Sequence, residues 1–193
     1  MKWLTGRGAI AALGVGLATV YGLGWRGLAL LLAFFFSSNL LTRGGGQRTE
    51  RQVLANGGIA ALAALAGSWV AFAGSLAAAT SDTWASEIGR HSRAAPRLIT
   101  SGRPVPAGTD GGLTVLGTTG GIAGALFIAG FARVLVPRGA LVAVAVAGIA
   151  GMLLDSLLGA TLQGRRKWLD NDAVNLAATA AGAGVAALCG MRS

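Results

Sequence analysis

One cysteine, one histidine and seven acidic residues are all that this chain offers for metal, redox or acid chemistry. The lone Cys189 excludes an intramolecular disulfide framework and a cysteine-based zinc cluster, and the lone His91 excludes a histidine-rich metal site. Charge is scarce as well: 12% of residues are charged, about half the share of an ordinary globular domain. A soluble chain of this length needs far more polar surface. With 53% hydrophobic residues and a mean hydropathy of +0.64, the composition places the protein in a membrane. Aromatics reach only 6%, which leaves Trp3, Trp25, Trp69, Trp84 and Trp168 as the main interfacial candidates. The net charge of +9 does not point to nucleic acid, because no aromatic and basic platform accompanies it. The arginines sit in short connectors between apolar runs, where lipid headgroups and topology account for them.

A membrane-spanning helix takes about 20 mostly apolar residues. On that measure residues 8–23 and 27–41 are the first two spans, and 8–23 is a span, not a cleaved signal, because another apolar run follows at once. The run 52–89 is too long for one crossing and divides near Gly67-Ser68-Trp69 into a helical hairpin. Residues 111–132, 139–162 and 173–189 complete the set. The expectation is an all-α polytopic membrane bundle of six to seven helices, one domain over residues 1–193, with polar connectors at 43–51, 90–110 and 163–172. Glycines spaced within the spans, such as Gly117, Gly120, Gly121 and Gly124, or Gly148, Gly151 and Gly159, read as small-residue helix packing.

Basic residues test the layout. Lys2, Arg7, Arg43, Arg48, Arg51, Arg90, Arg93, Arg97, Arg103, Arg165, Arg166 and Lys167 fall on one side, against Arg26, Arg133, Arg138 and Arg192 on the other. The positive-inside rule therefore puts the N-terminus and the three connectors in the cytoplasm, at a multi-pass cell membrane. Glu50, Asp82, Glu87, Asp110, Asp155, Asp170 and Asp172 all lie in those connectors or in the cytoplasmic halves of spans. Acids follow the inside rule weakly, so their gathering points to a site.

Four clusters carry its chemistry. In Ser81-Asp82-Thr83-Trp84-Ala85-Ser86-Glu87-Ile88-Gly89, Asp82, Ser86 and Gly89 share one helical face, with Thr83 and Glu87 on another. Asp82 and Glu87 stand about 140° apart, so they do not chelate one ion. Asp82 is the metal candidate, and Glu87 holds an arginine or a hydroxyl. The second cluster, Leu98 to Gly112, cannot be helical through Pro104 and Pro106, while its glycines let backbone amides approach a ligand. Thr100, Ser101, Thr109 and Arg103 add phosphate donors, and the loop opens a helix whose first amides suit an anion. Third, Asp155 lies between Gly151 and Gly159 on one helical face, a lone intramembrane acid with room beside it. Fourth, Asp170-Asn171-Asp172 opens the last span with a helix cap, and Asn175 follows one turn after Asn171. Arg48, Thr49, Arg51, Gln52 and Asn56 form a similar edge on the third span, and His91 reads as a connector residue.

Several of these stretches resemble one integral membrane family, the one that includes plant phytyl-phosphate kinase. The resemblance rests on Arg48-Thr49-x-x-Gln52-Val53-Leu54-Ala55-Asn56-Gly57, Ser81 to Gly89, Leu98-Ile99-Thr100, Val105-Pro106-x-Gly108-Thr109-Asp110-Gly111-Gly112, Asp155-Ser156-Leu157-Leu158-Gly159-Ala160 and Asp170-Asn171-Asp172-x-x-Asn175. It runs in the same order through nearly the whole chain. It implies a kinase that moves the γ-phosphoryl group of CTP, or another nucleoside triphosphate, to a phytyl or prenyl monophosphate. By that resemblance Asp82, Glu87, Asp155, the Gly108 to Gly112 loop, Asp172 and Asn175 are site residues, with Arg48, Asn56, Ser81, Ser86 and Thr100 in the matching motifs. Phosphoryl transfer rests on positioning and charge neutralisation, and Mg²⁺ is held by few carboxylates plus substrate phosphates. The expected ligands are Asp82 and Asp155 with Asp110 as a third, while Arg103, Thr109, Gly111 and Gly112 cradle phosphate. Two other readings stay open: a transporter or lipid flippase with buried acidic sites, and a CTP-dependent cytidylyltransferase acting on a lipid phosphate.

Overall fold

The computed structural model describes residues 3–42, 46–136, 141–164 and 168–190. Six helices make up the body: α1 Gly6–Leu41, α2 Glu50–Leu65, α3 Trp69–Gly89, α4 Val115–Leu135, α5 Leu141–Thr161 and α6 Asn171–Gly190. A two-residue antiparallel ladder, β1 Arg97–Leu98 with β2 Gly112–Leu113, ties the ends of the long connector. The start of that connector's return, expected as helix from residue 111, is therefore extended, and α4 begins at Val115 behind the Thr114 cap. Among the described residues four helices, α1, α4, α5 and α6, are long and apolar enough to cross a membrane. Arg43, Arg165, Arg166 and Lys167, which carried part of the charge asymmetry, lie outside the described residues, as do Lys2, Arg138 and Arg192.

The 36 residues of α1 are not one rod. Gly24 stands at φ 66°, ψ −161°, a conformation that costs any L side chain and that glycine adopts freely. The chain folds back there. Trp3 consequently meets Phe35 and Phe36 edge-on, with centroids 5.9 and 5.8 Å apart, where a straight helix would separate them by about 48 Å. A capping box starts α2: the Thr49 hydroxyl accepts from the Gln52 amide, and the Gln52 side chain accepts from the Thr49 amide. Ser68 then caps α3 after the turn at Gly67, so α2 and α3 form the hairpin that the run length implied.

Helix α3 is the centre of the bundle and touches each of the other five helices. From Phe72 to Ser81 every residue is buried, on all sides of the helix. Only small side chains permit that many neighbours: Gly74 and Gly182 let α3 and α6 cross in backbone contact, and Gly151 of α5 lies against Ala78. The hydroxyls of this helix find partners inside the bundle. Thr80 donates to the Leu76 carbonyl at 2.7 Å, Thr83 to Ala79 at 2.8 Å, and Ser81 reaches across to Gly121 of α4 at 2.8 Å. A Cβ at residue 182 would stand 2.7 Å from the Gly74 carbonyl oxygen. Gly182→Leu is therefore expected to force α6 off α3 and lower the Tm in detergent, by an overpacking cost of about 1–3 kcal/mol or more. An unchanged melting curve would mean that the two helices do not cross there.

Polar connectors meet at one end of the bundle. Arg7 pairs with Glu50 at 3.1 Å, joining the start of α1 to α2. Arg51 of α2 pairs with Asp170 at 2.7 Å and Asp172 at 3.6 Å, joining α2 to α6. The N-terminal strand segment hydrogen-bonds the Arg48 backbone, with Thr5 donating to Arg48 at 3.1 Å and Arg48 to Trp3 at 2.9 Å. All seven acids sit at this end, in these pairs, in the Glu87–Arg90 pair or around the cavity described next.

Candidate active site

At that end the last turns of α3 and α5, the first turn of α4, the start of α6 and the long connector enclose a cavity of about 690 Å³. Its size falls in the range of about 300–1,000 Å³ that small-molecule sites occupy. Asp82 from α3 and Asp155 from α5 both line it and interact directly with one another. One Asp155 oxygen, Oδ2, is buried and has no hydrogen-bond partner. Asp110, exposed on the connector, also lines the cavity and acts on Asp155 through its charge. Among the described residues no three Asp, Glu, His or Cys side chains converge tightly enough to hold one metal ion. The structure thus pairs Asp82 with Asp155 and leaves Asp110 at the rim, apart from the three-acid set that chemistry suggested.

The connector is a folded lobe. Besides the β1–β2 ladder, Leu98 donates to the Arg103 carbonyl at 2.9 Å and accepts from Gly102 at 2.8 Å, closing a tight turn. Gly111, at φ 74°, presses its backbone onto α5: a Cβ there would lie 2.5 Å from the Ser156 carbonyl oxygen and 2.7 Å from the Ala160 nitrogen. Gly159, without a side chain, makes room for that approach. This seat holds Gly108, Thr109, Asp110, Gly111 and Gly112 along the cavity edge. Thr109 is fixed by donating to the Pro106 carbonyl at 2.8 Å. Thr114 caps α4 by accepting from Gly117 at 2.9 Å, and Thr114, Gly117 and Thr118 bring the α4 N-terminus to the cavity wall.

The cationic side chains differ from those the sequence suggested. Thr100 and Arg103 sit on the exposed turn of the connector and do not line the cavity, whereas Arg90 and Arg93 do. The turn closed by Leu98 and Arg103 sets Arg103 at its outer end, an arrangement made by pairing across the loop and invisible to residue spacing. Arg90 and Arg93 carried a signal in retrospect: with Ser86 and Gly89 they extend the Asp82 side of α3 past its end. Ser92, Ser156, Gln163 and Asn171 also line the cavity. Ser86 lines it with Asp82, as their shared helical face requires.

Other candidates lie elsewhere. Glu87 faces away from the cavity and holds Arg90 at 3.0 Å. Ser81 is committed to the Gly121 carbonyl. Asp172 and Asn175 do not line the cavity, and Asp172 instead takes part in the Arg51 junction. The cap of α6 is Asp170, whose carboxylate accepts from the Ala173 amide at 3.1 Å. That amide, and after it Arg51, hold the Asp170 carboxyl below its usual range. A carboxylate whose folded pKa is depressed stabilises above its unfolded value, and the benefit fades as pH falls through the folded value. Asp170→Ala is accordingly expected to lower Tm at pH 7, with the gap from the parent narrowing at about pH 3, below the ordinary aspartate value. A gap that stays constant between the two pH values would contradict this. Arg48 and Asn56 border a second, apolar cavity of about 190 Å³ between the arms of α1 and α2. Burial pushes the Arg48 guanidinium down from its usual value, opposed by the charge of Glu87.

The comparisons with known proteins agree on what kind of chain this is. It is 39% identical over 199 residues to an uncharacterized membrane protein of Methanocaldococcus jannaschii, covering 94% of this chain and 83% of that one. To an uncharacterized membrane protein of Synechocystis it is 36% identical, over 85% of this chain and 74% of the relative. It is 36% identical to the chloroplastic protein VTE6 of Arabidopsis thaliana, over 61% of this chain and 36% of that protein. No solved structure matches it. The profile of integral membrane protein DUF92 matches residues 1–183, so nearly all of the helices, the connector lobe and both carboxylates lie within it, and the chain belongs to that family of multi-pass membrane proteins.

Proposed function

We propose that the chain is a membrane-embedded prenyl-phosphate kinase, which moves the γ-phosphoryl group of CTP, or another nucleoside triphosphate, onto a phytyl or related prenyl monophosphate. The observation that carries this reading is the Asp82 and Asp155 pair, two interacting carboxylates in a polar cavity at the end of an apolar bundle. Two like charges set together in such a place are costly unless a cation joins them. Membership of a family that includes plant phytyl-phosphate kinase supports the same reading from the sequence.

Mg²⁺ fits the donors. It takes one or two carboxylates together with phosphate oxygens, and the buried Asp155 oxygen without a hydrogen-bond partner is the kind of atom such an ion satisfies. Asp82 and Asp155 are the residues that would hold it, and it would supply neutralising charge to the transferring group. The chain's own residues do the rest. Arg93 and Arg90 set positive charge at the cavity wall, and the Gly108 to Gly112 edge and the α4 N-terminus offer amides to phosphate. In the transfer, an oxygen of the prenyl monophosphate bonds to the γ-phosphorus while the bond from that phosphorus to the bridging oxygen breaks, and CDP leaves with the electron pair. The acceptor phosphate is already an anion at neutral pH, so no strong general base is required.

In this reading the two arms of α1, the α2–α3 hairpin and α4, α5 and α6 make seven crossings. The N-terminus and the cavity lie on the cytoplasmic side, where the basic connectors belong. The test is product analysis by mass spectrometry, with the purified full chain, phytyl monophosphate, CTP and Mg²⁺. Prenyl diphosphate and CDP in equal amounts are expected. A CDP-linked lipid with pyrophosphate would reassign the chain as a cytidylyltransferase, and no product with any nucleoside triphosphate would remove the kinase reading.

A further inference from the structure

The second cavity has a composition unlike the first. Val15 and Gly16 from one arm of α1, Leu31 and Phe35 from the other, and Val53 from α2 make its wall almost wholly apolar. Arg48 and Asn56 stand at its border as the polar groups. The Arg48 guanidinium is half-buried and feels the charge of Glu87, yet among the described residues no ion pair or side-chain hydrogen bond holds it. A cation in that setting wants an anion. Asn56 spends one amide hydrogen on the Gln52 carbonyl at 3.0 Å, which leaves a second donor free. An apolar slot of about 190 Å³ has room for the first part of one chain and not for the paired tails of a diacyl lipid. Exposed Leu32, 39% accessible, marks where the slot opens outward.

We propose that this cavity is the docking site of the lipid acceptor. The first part of a single prenyl chain lies in the slot, its phosphomonoester is bound by Arg48 and Asn56, and the remaining tail continues past Leu32 into the bilayer. The inference rests on the kinase reading for the identity of the lipid. Its location follows from charge complementarity and the size and apolar lining of the slot. It also explains why Arg48 and Asn56 are absent from the polar cavity: nucleotide and lipid are received on different sides of α3. Glu87 connects the two, since it acts on Arg48 by its charge and holds Arg90, a residue of the polar cavity wall, at 3.0 Å.

Two substitutions and one labelling experiment test this. A Cβ at residue 16 meets nothing within 4 Å, so Gly16→Leu can start without a backbone clash and adds bulk to the slot wall. Both Gly16→Leu and Arg48→Ala are expected to raise the KM for phytyl monophosphate about tenfold or more with the KM for CTP unchanged. Because Arg48→Ala removes a half-buried side chain, the parent protein supplies a second readout. A diazirine-bearing prenyl monophosphate, photolysed on the full chain without nucleotide, should label the α1 and α2 segments that line the slot, and unlabelled phytyl monophosphate should suppress it. Labelling confined to the polar cavity, or an unchanged lipid KM in both variants, would overturn the proposal. Competed labelling of the slot in a protein that never transfers phosphate would sink the kinase reading and leave the docking site standing.

Discussion

Asp82→Asn is expected to lower phosphoryl transfer by about 10²–10³-fold or more, the scale on which loss of one preorganised charge-stabilising group is felt, while the protein becomes no less stable. The two halves of that result have one cause. Asp82 and Asp155 are two carboxyl groups in direct interaction within the bundle, where both can carry charge only at a cost that a cation relieves. Asparagine keeps the size of the side chain and removes the charge. A residue present only for packing or helix capping would show the opposite pattern, with lower Tm and turnover reduced only in proportion to folded protein. Asp155→Asn should behave alike, and the double variant should be scarcely worse than either single one, because the pair acts as a unit. Retained turnover in Asp82→Asn would remove the carboxylate pair from the mechanism.

Gly111→Ala should damage the same reaction from a distance. Gly111 is left-handed at φ 74°, which costs about 1–2 kcal/mol for an alanine, and the new methyl group would meet the backbone of Ser156 and Ala160, which cannot swing aside. The Gly108 to Gly112 edge then lifts from α5, moving its amides and Asp110 away from Asp82 and Asp155. A displacement of about 1 Å in a positioning element can cost about 10²-fold in rate. The helices do not depend on this loop, so far-ultraviolet circular dichroism should stay at the parent value. Parent kinetics in Gly111→Ala would show that the loop plays no part in the reaction.

Much of this arrangement was legible in the chain, for identifiable reasons. Hydropathy and run length placed the α2–α3 hairpin, because no single crossing accommodates residues 52–89. The gathering of acids at one end followed from counting connectors, since each crossing reverses direction. Helical periodicity separated Asp82 from Glu87, and the structure sets them on different sides of α3, one in the cavity and one on Arg90.

What escaped was set by contacts between distant residues. Arg103 looked like the phosphate-binding cation by its neighbours in sequence, yet the ladder joining Arg97–Leu98 to Gly112–Leu113 folds the connector so that its turn lies outside the cavity. Arg48 and Asn56 border a separate cavity because α2 packs against the folded-back arms of α1, and only the reversal at Gly24 creates that slot. Helix α3 itself shows the limit of hydropathy. It is not among the helices apolar enough to cross a membrane by composition, because it carries the hydroxyls and Asp82. Protein shields Phe72 to Ser81 on every side, so the hydroxyls there are met by bundle partners and not by lipid.

If Asp82 and Asp155 assemble a site for transfer of the terminal phosphoryl group, the fate of each phosphate of the nucleotide is fixed. The most direct measurement compares CTP labelled in the γ-phosphate with CTP labelled in the α-phosphate, using the purified chain, Mg²⁺ and phytyl monophosphate. γ-Label is expected to appear in the lipid and α-label to remain in CDP, and both Asp82→Asn and Asp155→Asn are expected to abolish the γ-labelled product. Label entering the lipid from the α-phosphate, or γ-label transferred equally well by both variants, would contradict that role of the pair.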